Sequence, residues 1–132
     1  MSPHTPSPEL REWIARHLDP LEDYGDKPMA SDFDLNPAHR PSEPVALTHA
    51  AVLIGLVERD EGISVLLTKR SETLRNHTGQ IALPGGRRDP GETPWVTALR
   101  EAHEEIGLEP DYVTVAGLCT PHQTGTGYLI TP

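Results

Sequence analysis

The stretch GGRRDPGETPWVTALREAHEEIGL, Gly85 to Leu108, decides how this chain is read. Its second half is a helix written with both stop signals. Thr93 suits the N-cap and Pro94 the first helical position, while Gly107 followed by Leu108 marks a left-handed end with an apolar residue behind it. The spacing therefore predicts a helix over Pro94 to Ile106. At about 100° per residue, Trp95, Val96, Leu99, Ala102 and Ile106 share one arc and are expected to face the core. Arg100, Glu101, Glu104 and Glu105 are expected on the opposite side.

Glu101, Glu104 and Glu105 stand at i, i+3 and i+4, which places three carboxylates on one helical face within about one turn. That arrangement is unfavourable by itself. Like charges at this spacing repel, and the negative end of the helix dipole adds to the cost. A hard divalent cation, Mg²⁺ or Mn²⁺, would offset both through carboxylate oxygens. On spacing alone, a solvated acidic face with Arg100 paired to Glu104 explains the same residues.

The residues upstream of the helix favour the cation. Gly86, five residues, Glu92, seven residues, Arg100-Glu101-Ala102, one residue, Glu104-Glu105, one residue and Gly107-Leu108 together resemble the box that defines the Nudix hydrolases. Ala102 is a small occupant of the aliphatic position. The preceding stretch, LLTKRSETLRNHTGQIALPGG, is similar to the signature of the coenzyme A pyrophosphatase subfamily. It matches at Leu66, Leu67, Thr68, Arg70, Ser71, Arg75, Gly79, Pro84, Gly85 and Gly86, and departs at Leu83, where that pattern usually shows Phe. The two motifs cover Leu66 to Leu108, about a third of the chain.

The resemblance implies an α/β (α+β) fold, a mixed β-sheet sandwiched between helices. It also implies a metal-dependent hydrolase that cleaves the diphosphate of coenzyme A or its thioesters to 3',5'-ADP and (acyl-)4'-phosphopantetheine. Glu101, Glu104 and Glu105 would be the catalytic, metal-holding carboxylates, with a backbone carbonyl from the Gly86 region and Mg²⁺ or Mn²⁺ as the ion. Glu92 and Arg100 would brace the loop and the glutamates from behind. A loop from Gly85 to Gly91 is expected to bring backbone close to a metal-phosphate cluster. Two other readings stay open: a Nudix hydrolase of another nucleoside diphosphate derivative, such as ADP-ribose, a nucleotide sugar or a dinucleoside polyphosphate, and a catalytically silent Nudix-fold binding module.

Charge patterning fits an anionic small molecule. The net charge is -9, which disfavours non-specific nucleic-acid binding. Yet Lys69, Arg70, Arg75, Arg87 and Arg88 fall in one short window against the single acid Glu72. Arg70 and Arg75, then Lys69 and Arg87, are the candidates for the diphosphate or the ribose 3'-phosphate, which Arg grips through paired hydrogen bonds. His77 and His103 are weaker candidates, and His122 lies in a loop, PHQTGTGY, placed to line a pocket.

Outward from this centre the chain is simpler. Its 132 residues suit one domain. Residues 1–44 hold eight of the 14 prolines and read as an extended arm interrupted by one helix at about 8–18. Ser7 caps that helix, and Leu10, Trp13, Ile14 and Leu18 form a face expected to dock on the domain or on a partner subunit. Residues 45–132 read as the Nudix domain. AAVLIGLVE and ISVLLTK form a strand hairpin, with further strands expected near Gln80–Leu83, Tyr112–Leu118 and Tyr128–Thr131. The chain stops 24 residues after Leu108, inside the last of these, so the domain is expected to be incomplete at its C-terminus. No apolar run is long enough for a membrane span, no secretory signal is visible, and a single cysteine, Cys119, permits no internal disulfide. A cytoplasmic monomer or homodimer acting on a nucleotide is the expectation.

Overall fold

The computed structural model describes residues 6–25, 29–43, 45–69 and 79–132. In chain order the described elements are α1 (Pro8–His17), β1 (Ala30–Ser31), β2 (Thr48–Val52), β3 (Leu56–Arg59), β4 (Gly62–Val65), β5 (Thr68–Lys69), β6 (Ile81–Ala82), β7 (Gly85–Arg87), α2 (Pro94–Ile106), β8 (His122–Gln123) and β9 (Tyr128–Thr131). Five strands form one mixed sheet in the order β1-β8-β9-β2-β7. β2 runs parallel to β9 and antiparallel to β7, and β1 runs parallel to β8. The hairpins β3–β4 and β5–β6 are separate two-stranded ladders.

Both helices begin and end where their caps dictate. Ser7 Oγ accepts from the Leu10 amide at 3.3 Å, and Thr93 Oγ1 accepts from the Val96 amide at 3.4 Å. Gly107 closes α2 at φ 69°, a left-handed conformation that glycine adopts without a Cβ penalty.

The helical wheel places Ala102 correctly but not the rest of the buried arc of α2. The buried residues are Pro94, Thr97, Ala98 and Ala102, whereas Val96 is 44% and Ile106 38% exposed. Trp95 and Leu99 are half-buried, Trp95 meeting the edge of the Tyr24 ring at 5.3 Å. The reason lies in the sheet beneath. α2 crosses β2 and β7 where Ala51 pairs with Gly86, a nearly bare patch of backbone. Close approach there selects small side chains on the helix, and the bulkier ones are pushed to its flanks.

The apolar run from Ala50 divides at Leu53–Gly55 into β2 and β3, so the predicted hairpin is β3–β4 with its turn at Asp60-Glu61. Gly85–Arg87, expected as loop, is the edge strand β7. Of the strand expected over Tyr112–Leu118, Tyr112 closes the turn Pro110–Tyr112 and only Leu118 pairs, through reciprocal 2.9 Å bonds with Asp19, so no strand forms there. The N-terminal segment, expected as an extended arm, supplies this Asp19 contact and the edge strand β1. Its route over the domain is tight. A Cβ on Gly117 would lie 2.7 Å from Leu18 Cβ. Of the expected α1 face, Leu10, Ile14 and Leu18 are half-buried and Trp13 is 59% exposed. Among the described residues no helix is long and apolar enough to cross a membrane.

Candidate active site

Burial of the small arc of α2 carries Glu101 down with it. Glu101 follows Thr97 by four residues and Ala98 by three, so its side chain points toward the sheet and keeps only 19% exposure. Room for it comes from Gly86, where a Cβ would fall 2.5 Å from the Glu101 carboxyl carbon. The sequence reading had Glu101 opposite the core. It lies at the core's edge, with Glu104 and Glu105 exposed at the outer end of the helix.

Arg100 is the hub of this region. Its Nε donates to Glu92 Oε2 at 2.8 Å and its Nη2 to Glu92 Oε1 at 2.9 Å, a two-pronged pair. Nη2 also donates to the Arg87 carbonyl at 3.0 Å. Nη1 reaches Glu101 Oε1 at 3.0 Å and Glu104 Oε1 at 3.3 Å. Asp89 Oδ2 lies 3.4 Å from the guanidinium. All five N–H groups of the side chain thus have acceptors.

Glu92 is held as firmly from the other side. It accepts from the Asp89 amide at 2.8 Å and from the Thr97 hydroxyl at 3.1 Å. These donors favour its charged form, Arg100 most of all, and lower its carboxyl to about 2. The same pairing pushes the Arg100 guanidinium further up from its already high value. Loop residues 87–92 are therefore tied to α2 by charge-assisted bonds at both ends. Thr97, fully buried, is not among the candidates that the sequence offers. Its spacing from Glu92 and Thr93 was the available signal.

The ladder also fixes which backbone atoms face outward. Arg88 donates to the His49 carbonyl at 2.9 Å and Leu53 to the Pro84 carbonyl at 2.8 Å, so His49/Arg88, Ala51/Gly86 and Leu53/Pro84 are the bonded pairs. Alternation turns the Gly86 carbonyl toward β2 and the Gly85 and Arg87 carbonyls toward the open edge, where Arg100 meets Arg87. Side chains alternate as well. Arg87 projects to the sheet face opposite Glu101, where it donates to the Tyr128 hydroxyl at 3.1 Å and lies 5.9 Å from that ring's centre.

The other predicted residues are scattered. Lys69 ends β5, opposite Ile81. Arg70, Arg75 and His77 lie outside the described residues. His103 faces Glu109 at 3.4 Å on the surface. His122 does not join the glutamates: its Nε2 lies 2.7 Å from Asp32 Oδ1, and Asp32 Oδ2 accepts from the Gly125 amide at 2.8 Å. That backbone donor and the imidazole lower the Asp32 carboxyl. Nothing in the sequence pairs positions ninety residues apart.

Among the described residues, no three His, Cys, Asp or Glu side chains are already gathered as a set that could hold a metal ion. The shared centre of Glu92, Glu101 and Glu104 is the Arg100 guanidinium. The donor chemistry still suits a hard divalent cation. Glu101, Glu104 and Glu105 offer only carboxylate oxygen, and Gly86 leaves Glu101 a cradle that any Cβ would fill.

Comparison with known proteins identifies the family. Residues 47–132 match the NUDIX domain. The chain is 47% identical over 85 residues to an uncharacterised Nudix hydrolase, NudL, of Yersinia enterocolitica, a match covering 64% of this chain and 43% of that protein. It is 41% identical over 109 residues to Nudix hydrolase 3 of Caenorhabditis elegans, covering 83% of this chain and 41% of that protein. The chain thus spans about two fifths of the length of these curated relatives. A MutT/nudix family protein of Enterococcus faecalis superposes on 97% of this chain, and on 48% of its own, with a TM-score of 0.51 at 17% identity, a likeness of fold.

Proposed function

The chain belongs to the Nudix family, and from that premise we propose that it is a divalent-metal-dependent pyrophosphohydrolase acting on coenzyme A or its thioesters, with 3',5'-ADP and (acyl-)4'-phosphopantetheine as products. One observation carries the hydrolase reading: Glu101 is seated against Gly86 and held by Arg100, with Glu104 and Glu105 presented on the adjoining turn. A purely solvated acidic face would need no such seat.

Glu101, Glu104 and Glu105 would hold Mg²⁺ or Mn²⁺, with the Gly85 carbonyl, the outward oxygen beside Gly86 that Arg100 does not occupy, as the backbone ligand. When bound, such an ion supplies neutralisation of the diphosphate and activation of water. The remaining work belongs to the chain. Glu92 and Arg100 lock loop residues 87–92 against α2, so the carboxylates keep their places as a polyanionic substrate enters. Gly86 contributes by what it lacks, since only hydrogen fits between β7 and the Glu101 carboxylate.

The substrate is read from the stretch Leu66 to Gly86, where Arg70 and Arg75 are the proposed contacts to the diphosphate or ribose 3'-phosphate and Lys69 and Arg87 are secondary. Arg87 faces the opposite side of the sheet from Glu101, which counts against it in this role. Incubation with Mg²⁺ or Mn²⁺ and coenzyme A, acyl-coenzyme A, ADP-ribose or NADH, followed by product identification, tests the reading. Preferred cleavage of ADP-ribose or NADH removes the coenzyme A assignment. Cleavage of no substrate in a panel widened to nucleotide sugars and dinucleoside polyphosphates removes the hydrolase.

A further inference from the structure

Arg100 divides its five N–H groups between two unlike sets of partners. Nε and Nη2 meet Glu92, whose side chain is 14% exposed, and the Arg87 carbonyl, at 2.8 to 3.0 Å. Nη1 meets Glu101 at 3.0 Å and Glu104 at 3.3 and 3.4 Å, and Glu104 is 55% exposed. Glu92 is saturated, since Asp89 and Thr97 also donate to it. Glu101 and Glu104 instead share a single guanidinium nitrogen.

We infer that the Nη1 end of Arg100 is an exchangeable counter-cation for Glu101 and Glu104: it neutralises them until a divalent cation arrives and then releases them, while the Nε–Nη2 edge stays clamped to Glu92. This rests on the functional reading above and deepens it by naming what holds the carboxylates beforehand. The physical reason is competition for the same negative charge. Three carboxylates on about one turn repel without a cation, and a guanidinium lodged between two of them repels a second cation placed at the same oxygens. The end that lets go is the one whose bonds to Glu104 are long, exposed and well screened and whose bond to half-buried Glu101 is single, against the two-pronged pair with Glu92. Arg100 acts here as a positioning residue with one anchored and one labile edge.

Two variants of the same ion pair separate this from simple bracing. Arg100→Gln removes the competitor, so calorimetry should show Mn²⁺ binding roughly fivefold tighter than in the wild-type protein. Glu92→Gln loosens the anchor and lets the guanidinium settle on Glu101 and Glu104, so Mn²⁺ should bind more weakly by a similar factor. A brace alone predicts weakening in both. Should either variant fold poorly, nitrogen-detected NMR of the wild-type protein decides: Mg²⁺ should shift the Arg100 Nη1 signal and leave Nε in place. Weakened binding in both folded variants, or an unmoved Nη1 while the Glu101 and Glu104 carboxyl carbons shift, overturns the exchange and leaves the hydrolase reading standing. Carboxyl carbons unmoved at saturating Mg²⁺ overturn both.

Discussion

Two segments of this molecule are each tied to another element by a charged side chain, and they differ in almost everything else. Residues 87–92 are tied to α2 by Arg100, which bonds Glu92, Glu101, Glu104 and the Arg87 carbonyl within a span of 18 residues. Residues 122–125 are tied to the N-terminal segment by Asp32, which meets His122 and the Gly125 amide across 90 and 93 residues. The first knot carries an excess of carboxylate that needs a positive partner. The second is a local match of one acid with one imidazole and one amide, on an exposed surface. A knot with surplus charge is suited to exchange partners, and a matched one is suited to hold a loop.

The contrast is broken most sharply by function. Glu105→Gln is expected to lower metal-dependent diphosphate hydrolysis on the order of a hundredfold to a thousandfold, while Asp32→Ala leaves turnover within about threefold. Comparable losses in steady-state assays of the two variants would erase the distinction. Gly86→Ala should follow, because the new Cβ would meet the Glu101 carboxyl carbon at 2.5 Å. A loss of roughly tenfold to a hundredfold in activity with a native circular dichroism spectrum is expected; unchanged activity removes the cradle from the argument.

Acid sharpens it further. Glu92 has its carboxyl lowered from 4.5 to about 2, so the folded state binds its proton less readily than the unfolded chain. Its contribution is present in full above pH 4.5 and is lost as pH falls toward 2. Glu92→Gln should flatten the fall in Tm over that window, and an identical slope in both proteins would show that the pair contributes nothing. Smaller still is Thr97→Val, which removes the buried hydroxyl between Glu92 and the Thr93 carbonyl. About 1 kcal/mol of stability should go, measured by urea unfolding. The smallest effect belongs to Asp32→Ala itself, which should speed hydrogen exchange at the Gly125 amide and lower Tm less than Thr97→Val does.

Much of the first knot was legible because its parts are local. Pro94, Thr93 and Gly107 set the ends of α2 through caps that act over two or three residues. Glu92 and Arg100 stand eight apart across a short loop and two helical turns, close enough for fixed spacing to carry them. The second knot left no such trace, since Asp32 and His122 come together only after β1 has added to β8. Tyr112 to Leu118 shows the same limit, because its pattern promised a strand but the partner needed to make a ladder meets it at one residue.

The sequence by itself determined where α2 starts and stops, and that three carboxylates and an arginine share its outer turns, because caps and i, i+4 neighbours are set by the helix alone. Only the tertiary structure decided which arc of α2 is buried. Hydrophobicity pointed to Val96 and Ile106, yet the bare backbone of Ala51 and Gly86 admits Thr97, Ala98 and Ala102. Burial follows the space a neighbour leaves, and that choice turned Glu101 from a solvent-facing acid into one seated on the sheet.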